Sequence, residues 1–322
     1  MMTHILLAAA LFSVLCTKTS SLINCVSSHC IKMIGMDQTT TFALTSQKSS
    51  VFQGSDVAGL KYQLLQLGAA LDRGQSYNPT SGEYYKERMD GCKAKIESLV
   101  ALAPASAKSL KDIEGEWELV VTTVPNGIFR SSPFFLAIQE AFHIGGDPEK
   151  AALFFKLHEL QTCSWGISKI GRVAQFIDAE NGILYSEFDT SIFALTTIPI
   201  LGWFKLLPTF GGCVVTVSEA KLNLTTGSID MEVDYTTAYK VPGLDGIGNW
   251  TWDIKVPVGS VWRLLPWNRG RKATCSVQLV YNDGDMRIVR DIDGEYFVYS
   301  RPVLPRSLYR CSKTTTSLDP LH

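Results

Sequence analysis

The sequence predicts a mainly β protein, an antiparallel β-barrel with an N-terminal helical segment. Three observations carry this. Residues 115–123 alternate at a period of two, with Trp117, Leu119, Val121 and Thr123 on one face and Glu116 and Glu118 on the other, as a half-buried strand requires. Residues 229–236 repeat the pattern strictly, Ile229, Met231, Val233 and Tyr235 against Asp230, Glu232 and Asp234. Ahead of both, Leu60, Leu64, Leu67 and Leu71 recur at spacings of four, three and four, which is helical.

In chain order, residues 5–15 form an apolar run with the length of a signal-peptide core, too short to span a bilayer. Residues 17–50 are rich in Ser and Thr and carry Lys18, Lys32 and Lys48 against one acid, Asp37, the composition of a transit peptide. A signal-like segment over 1–20 and a transit-like, disordered segment over 21–55 together predict a bipartite presequence of the kind that leads into plastids enclosed by extra membranes. Plain secretion with a disordered spacer is the alternative.

The helical segment takes residues 56–105. Its first helix, 57–71, ends at Arg73-Gly74, where glycine suits the left-handed conformation beyond a helix terminus. Asn78-Pro79-Thr80-Ser81-Gly82 is a loop. A second helix over 83–102 stops before Pro104, with Ile96, Leu99, Val100 and Ala103 as its apolar stripe. The pair is expected to cap one end of the barrel.

The barrel domain takes residues 106–302. Gly115 permits a turn just before the bulky Trp117. Residues 131–142 read as a Pro-initiated apolar helix or lid, greasy through Phe134, Phe135, Leu136 and Ile138. Residues 172–177 and 183–188 form a hairpin, and so do 214–224 and 229–236 around Thr225-Thr226-Gly227. Two stretches break the pattern: 198–208 is apolar and proline-bounded, and 258–272 mixes tryptophans with cations. Residues 273–281, 286–290 and 295–301 close the domain as a meander. The rest, 303–322, is expected to be a loosely held tail.

Thirty basic and 31 acidic residues give a net charge of −1, which points to neither a nucleic-acid partner nor an electrostatically steered substrate. The eight cysteines (16, 25, 30, 92, 163, 213, 275 and 311) include no Cys-x-x-Cys pair, so they read as scattered thiols, with one opportunistic disulfide as the alternative. No two of the five histidines stand at metal-ligand spacing. There is no Gly-x-Ser-x-Gly elbow, phosphate-binding loop or dinucleotide fingerprint. Asp230, Glu232 and Asp234 lie about 7 Å apart in turn along a strand, too far for a compact calcium cage without other ligands. The sequence therefore predicts no catalytic residue, no metal and no cofactor.

Several motifs occur together in a telling order. Leu71-Asp72-Arg73-Gly74 lies in the helical region, followed by Leu110, Gly115-x-Trp117 and Thr122-Thr123. Near the end come Tyr281-x-Asp283, Arg287-Ile288-x-Arg290 and Gly294-x-x-Phe297-Val298. This set resembles the plastid lipid-associated proteins, the PAP/fibrillin family, over roughly residues 58–301. The chain departs from that pattern at Asp291, where the family usually has Gly, and at Asn282, where an apolar residue is common. The resemblance implies a lipocalin-like barrel and a non-enzymatic plastid protein at plastoglobules or thylakoids. Such a protein binds or organises lipids, carotenoids or prenylquinones.

The residues themselves support two functional expectations. A barrel of about eight strands encloses space for its own side chains or one small ligand. The inward faces are read as almost wholly apolar, lined by Trp117, Leu119, Val121, Phe176, Met231, Val233 and Tyr235, and Arg287 or Arg290 is expected over the Trp117 ring. Second, Trp262, Arg263, Leu264, Leu265 and Trp267 have the mix of aromatic, apolar and cationic groups that docks on a membrane or lipid surface, or else fold back on the barrel. One alternative function is an adaptor for a prenyl-lipid biosynthetic enzyme. Another is a secreted lipocalin-like carrier, with sequons at Asn223 and Asn249.

Overall fold

A computed structural model describes residues 57–75, 82–102, 107–124, 127–162, 168–192, 210–239, 255–258, 262 and 270–306. The order is α1 (Val57–Ala70), α2 (Gly82–Leu102), β1 (Gly115–Thr122), α3 (Pro133–Ile144), α4 (Pro148–Thr162), β2 (Ser168–Asp178), β3 (Ile183–Ile192), β4 (Phe210–Asn223), β5 (Ser228–Tyr239), β6 (Val256–Pro257), β7 (Thr274–Asn282), β8 (Met286–Arg290) and β9 (Tyr296–Ser300). All pairings are antiparallel. Neighbours run β4-β3-β2-β1-β9-β8-β7-β5, and β4 also pairs with β5, so eight strands close on themselves. Closure removes the free edges that an open sheet would present. The short β6 adds to the far half of β5. The sequence missed α4, whose residues show no clean helical stripe.

Four register slips interrupt the ladder, the one in β2 leaving both Ile170 and Val173 inward, and the other three decide which of the remaining side chains face inward. In β1 the register slips between Leu119 and Val121. Trp117 and Leu119 point into the barrel, and Val121 joins the cluster on its outer wall. In β7 the slip between Leu279 and Tyr281 turns Val280 and Tyr281 outward together. In β5 the extra residue is Asp234, so Val233 faces inward and Tyr235 outward, beside Val217. A bulge adds one residue to one strand and reverses the alternation beyond it. Val121 and Tyr235, expected inside, therefore lie outside. Phe176 is also outside, because Val173, Gln175 and Ile177 hold the inward positions of β2; its ring lies 6.1 Å from that of Tyr185.

The helical pair covers the side of the barrel and does not cap an end. Leu64, Leu71, Met89, Cys92, Ile96 and Leu99 pack on Val121, Tyr281, Met286, Ile288 and Val298. That outer strip is apolar and needs cover, which the sequence-based cap would have left wet. Close approach is built in: a Cβ on Gly68 would stand 2.6 Å from the Val120 carbonyl oxygen, and one on Gly74 2.6 Å from that of Thr122. After α1 the chain turns through three left-handed residues, Asp72, Arg73 and Gly74. The Arg73 guanidinium donates to the carbonyls of Ile170 and Gly171, and Tyr85 donates to the Gly74 carbonyl at 2.9 Å. Lys61–Asp283 at 2.8 Å and Lys93–Glu295 at 2.9 Å pin the pair at both ends of the wall.

The first residues of the tail are held. Arg306 forms a bidentate pair with Asp189 at 2.7 and 2.8 Å, and its backbone N–H donates to Glu116. Arg172 gathers Glu116, Glu118 and Glu187 on the same outer wall.

Two glycines should respond in opposite directions. Gly74→Ala meets a carbonyl and a φ of +101° and should lower stability by about 2 kcal/mol or more. Gly91→Ala, inside α2 with open space around it, should raise it by about 0.5–1 kcal/mol. Urea midpoints at constant m-value read both.

A second expectation concerns acid. Burial raises the Asp283 carboxyl, but Lys61, Tyr281 and two backbone N–H groups more than offset it and hold its pKa at about 2. A depressed carboxylate stabilises fully above its ordinary 3.8 and loses that contribution as the pH falls toward about 2. Lys61→Met should therefore cost stability at neutral pH, and the gap from wild type should close across that acid window.

Candidate functional site

The barrel interior is the candidate site, and Trp117 is its floor. The indole N–H donates to the Ile113 carbonyl at 2.8 Å, tying the short 3₁₀ turn Leu110–Ile113 across the closed end. Two guanidiniums lie on the ring, with Cζ of Arg301 at 3.7 Å and of Arg287 at 5.1 Å from its centroid. Arg301 also donates to the carbonyls of Glu116 and Gly284. Arg287 has none of its surface exposed and lies 4.6 Å from the Tyr299 ring. Complete burial, with Arg301 close by, pushes its pKa down to about 10, so it stays charged at neutral pH.

Arg287 has an unusual set of partners. Through Nη2 it donates to Oε1 of Gln175, while Nε and Nη1 have no hydrogen-bond partner. No ion pair to Arg287 occurs among the described residues. Gln175 is oriented in turn by donating to the Ser131 carbonyl at 3.0 Å. Strand register extends the polar row around the wall: Trp117 opposes Gln175, Gln175 opposes Ser186, Ser186 opposes Thr216 and Thr216 opposes Thr236. The interior is thus an apolar chamber with a polar belt, which corrects the expectation of an almost wholly apolar lining.

Above the belt sits α3. Phe129, Phe135, Leu136 and Ile138 join the interior core, and the Phe129 and Phe135 rings meet edge-on at 5.0 Å. Between this roof and the floor a cavity of about 10 Å³ remains, lined by Leu136, Gln175, Met231, Tyr299 and their neighbours. That is room for about one water. Among the described residues, side chains fill nearly all of the space between roof and floor.

Polar contacts hold α3 and the turn before it. Arg130 reaches Asp291 at 3.5 Å and Asp293 at 3.1 Å, Gln139 donates to both carboxylates, and His143 Nε2 lies 2.8 Å from Asp293. Glu140 accepts from the Ser276 N–H at 2.9 Å. Burial raises the Asp291 carboxyl despite a backbone N–H, Arg130 and Gln139. Asp291, one of the two departures from the fibrillin-like pattern, therefore anchors the roof.

Of the residues expected to line the interior, Trp117, Leu119, Met231 and Val233 face it, and Val121, Phe176 and Tyr235 do not. Of the two candidate stacking cations, Arg287 lies on Trp117 whereas Arg290 turns outward to Gln278. Among the other motif residues, Phe297 faces the interior, Asp283 binds Lys61, and Gly115 at the start of β1 and Gly294 in the β8–β9 turn hold positive φ. Trp262 is 4 % exposed and packs against Phe134 at 6.1 Å, so it belongs to the core under α3 and not to a membrane-facing surface. Arg263, Leu264, Leu265 and Trp267 lie outside the described residues, as does the presequence. Sequence reasoning missed Gln175, Ser186 and Thr216, whose strands it placed without assigning their inward faces. It also missed Arg301, which stands next to the final strand motif.

Among the described residues, no group of His, Cys, Asp and Glu is arranged to hold a metal, and no helix is long and apolar enough to cross a membrane. No known protein family, curated protein or solved structure matches the chain. The fibrillin resemblance rests on the motif residues quoted for it.

Cys275 reports on the roof, because its thiol is buried under α3, 3.4 Å from the Pro133 carbonyl. Asp291→Asn with Asp293→Asn should loosen α3 and speed Cys275 alkylation about fivefold or more, given about 1 kcal/mol per lost hydrogen bond. Cys92, under the helical pair, should keep its wild-type rate. Peptide mapping after timed labelling separates the two.

Proposed function

We propose that this is a non-enzymatic plastid lipid-associated protein that binds or organises hydrophobic molecules at plastoglobules or thylakoids. Lipids, carotenoids and prenylquinones are the candidate guests. One observation carries the reading: an apolar helix, α3, occupies the mouth of an enclosed, mostly apolar barrel and is held there by side-chain contacts to one turn and one strand. A plug of this kind can lift without breaking the barrel ladder. Gly145 and Gly146 follow it, the latter at a φ of +77°, and a short 3₁₀ turn, Ile128–Ser131, precedes it. Guests of lipid size require that movement, because the cavity beneath α3 holds about 10 Å³.

That filled interior also favours a second reading, in which the barrel is an adaptor for a prenyl-lipid biosynthetic enzyme and carries no guest. Mass spectrometry of lipids retained by the full chain after incubation with plastid lipid extract separates the two. One enriched prenyl-lipid, pigment or acyl lipid at near-equal stoichiometry supports the carrier. Retention no greater than that of an unrelated soluble protein overturns it and leaves the adaptor.

A further inference from the structure

The polar floor of the barrel selects among hydrophobic guests. Arg287 is charged, wholly buried and without a carboxylate partner among the described residues, and two of its nitrogens have no hydrogen-bond partner. A guanidinium left this way in a buried interior is costly, since charge-bearing groups are retained inside proteins when paired. Trp117 and Tyr299 flank it as stacking surfaces and Gln175 fixes one edge, so its remaining donors are held in place. Ser186 and Ser218, both inward-facing and buried, also leave their hydroxyls unpartnered. The small cavity next to this floor is lined by Gln175 and Tyr299, which flank Arg287, and by apolar residues that include Leu136 of α3. A polar end at the floor and an apolar path under the roof match one chemical class.

We propose that the barrel binds a single-chain amphiphile with an anionic carboxylate, head down on Arg287 and tail beneath a lifted α3. The carboxylate completes the guanidinium with a paired, charge-assisted contact, and the apolar wall takes the chain. This rests on the hydrophobic-guest reading above and narrows it. Neutral guests of equal length lose the ion pair and should bind at least tenfold more weakly.

Equilibrium dialysis of the delipidated full chain at neutral pH, with palmitate and hexadecan-1-ol as matched probes, tests this. Palmitate should bind at least tenfold tighter. Gln175→Glu places a carboxylate beside Arg287 from within the protein, and should abolish that preference. Arg287→Gln should abolish it too, and Gln175→Glu keeps the test valid if that variant fails to fold. Equal binding of acid and alcohol, or a preference that survives Gln175→Glu, overturns the carboxylate site while the hydrophobic-guest reading stands. Binding of neither probe overturns the site as well. The hydrophobic-guest reading then falls with it only if the plastid lipid extract also yields no retained lipid.

Discussion

The stacking of Arg287 and Arg301 on Trp117 is the constraint around which the barrel is arranged. The indole belongs to β1, one guanidinium to β8 and the other to the chain leaving β9, so a single ring joins three neighbouring segments at the closed end. Its N–H reaches back to Ile113, which fixes the turn that enters β1. Gly115 is required there by geometry: its φ is +95°, and a Cβ would stand 2.9 Å from the Arg301 guanidinium. Cation–π attraction is worth about 2 kcal/mol or more when desolvated, enough to hold the ring and less than the cost of burying a bare charge. The arrangement closes the floor and leaves Arg287 under-satisfied. Stability and the proposed ligand chemistry meet in the same residue.

The outer wall follows from a different device. An ordinary alternating strand offers every second residue to each face, so it gives a covering helix pair little continuous apolar surface. Bulges in β1 and β7 present Val120 with Val121, and Val280 with Tyr281, as outward doublets. The helical pair settles on those doublets along the wall. Its glycines, Gly68 and Gly74, allow backbone to approach backbone. The buried strip and the register slips are therefore one feature.

This explains where the sequence was legible. The strands from β7 to β9 and helices α1 and α2 are short, strongly patterned elements bounded by turn residues, and they fall where periodicity places them. Val121 and Tyr235 were assigned to the wrong face because period-two counting has no term for an inserted residue. The doublet Val120-Val121 was a visible hint of the slip in β1; Asp234, an acidic residue in an acidic row, gave none. Trp262 sat in a stretch with the composition of a lipid-docking loop, and composition cannot say whether a tryptophan faces membrane or core. The polar belt was missed for a simpler reason: Gln175, Ser186 and Thr216 come from different strands, and only register brings them level.

The roof and the floor also differ in how they could change. The floor is fixed by ring stacking and backbone ladders that open only with the barrel. The roof is an insertion between β1 and β2: Arg130, Gln139 and His143 anchor it on the β8–β9 turn, Glu140 on Ser276, and Ser131 and Ser132, just before α3, on Gln175 and Thr216. Lifting it breaks side-chain bonds to that turn and spares the strand ladder, and native proteins open most readily at such places. Asp291 is central to those anchors, and burial raises its carboxyl despite a backbone N–H, Arg130 and Gln139. In the proposed carrier, this anchor holds the barrel shut and gives way to a guest that supplies comparable interactions inside. The apolar wall and the unpaired guanidinium are the two parts of the interior able to supply them.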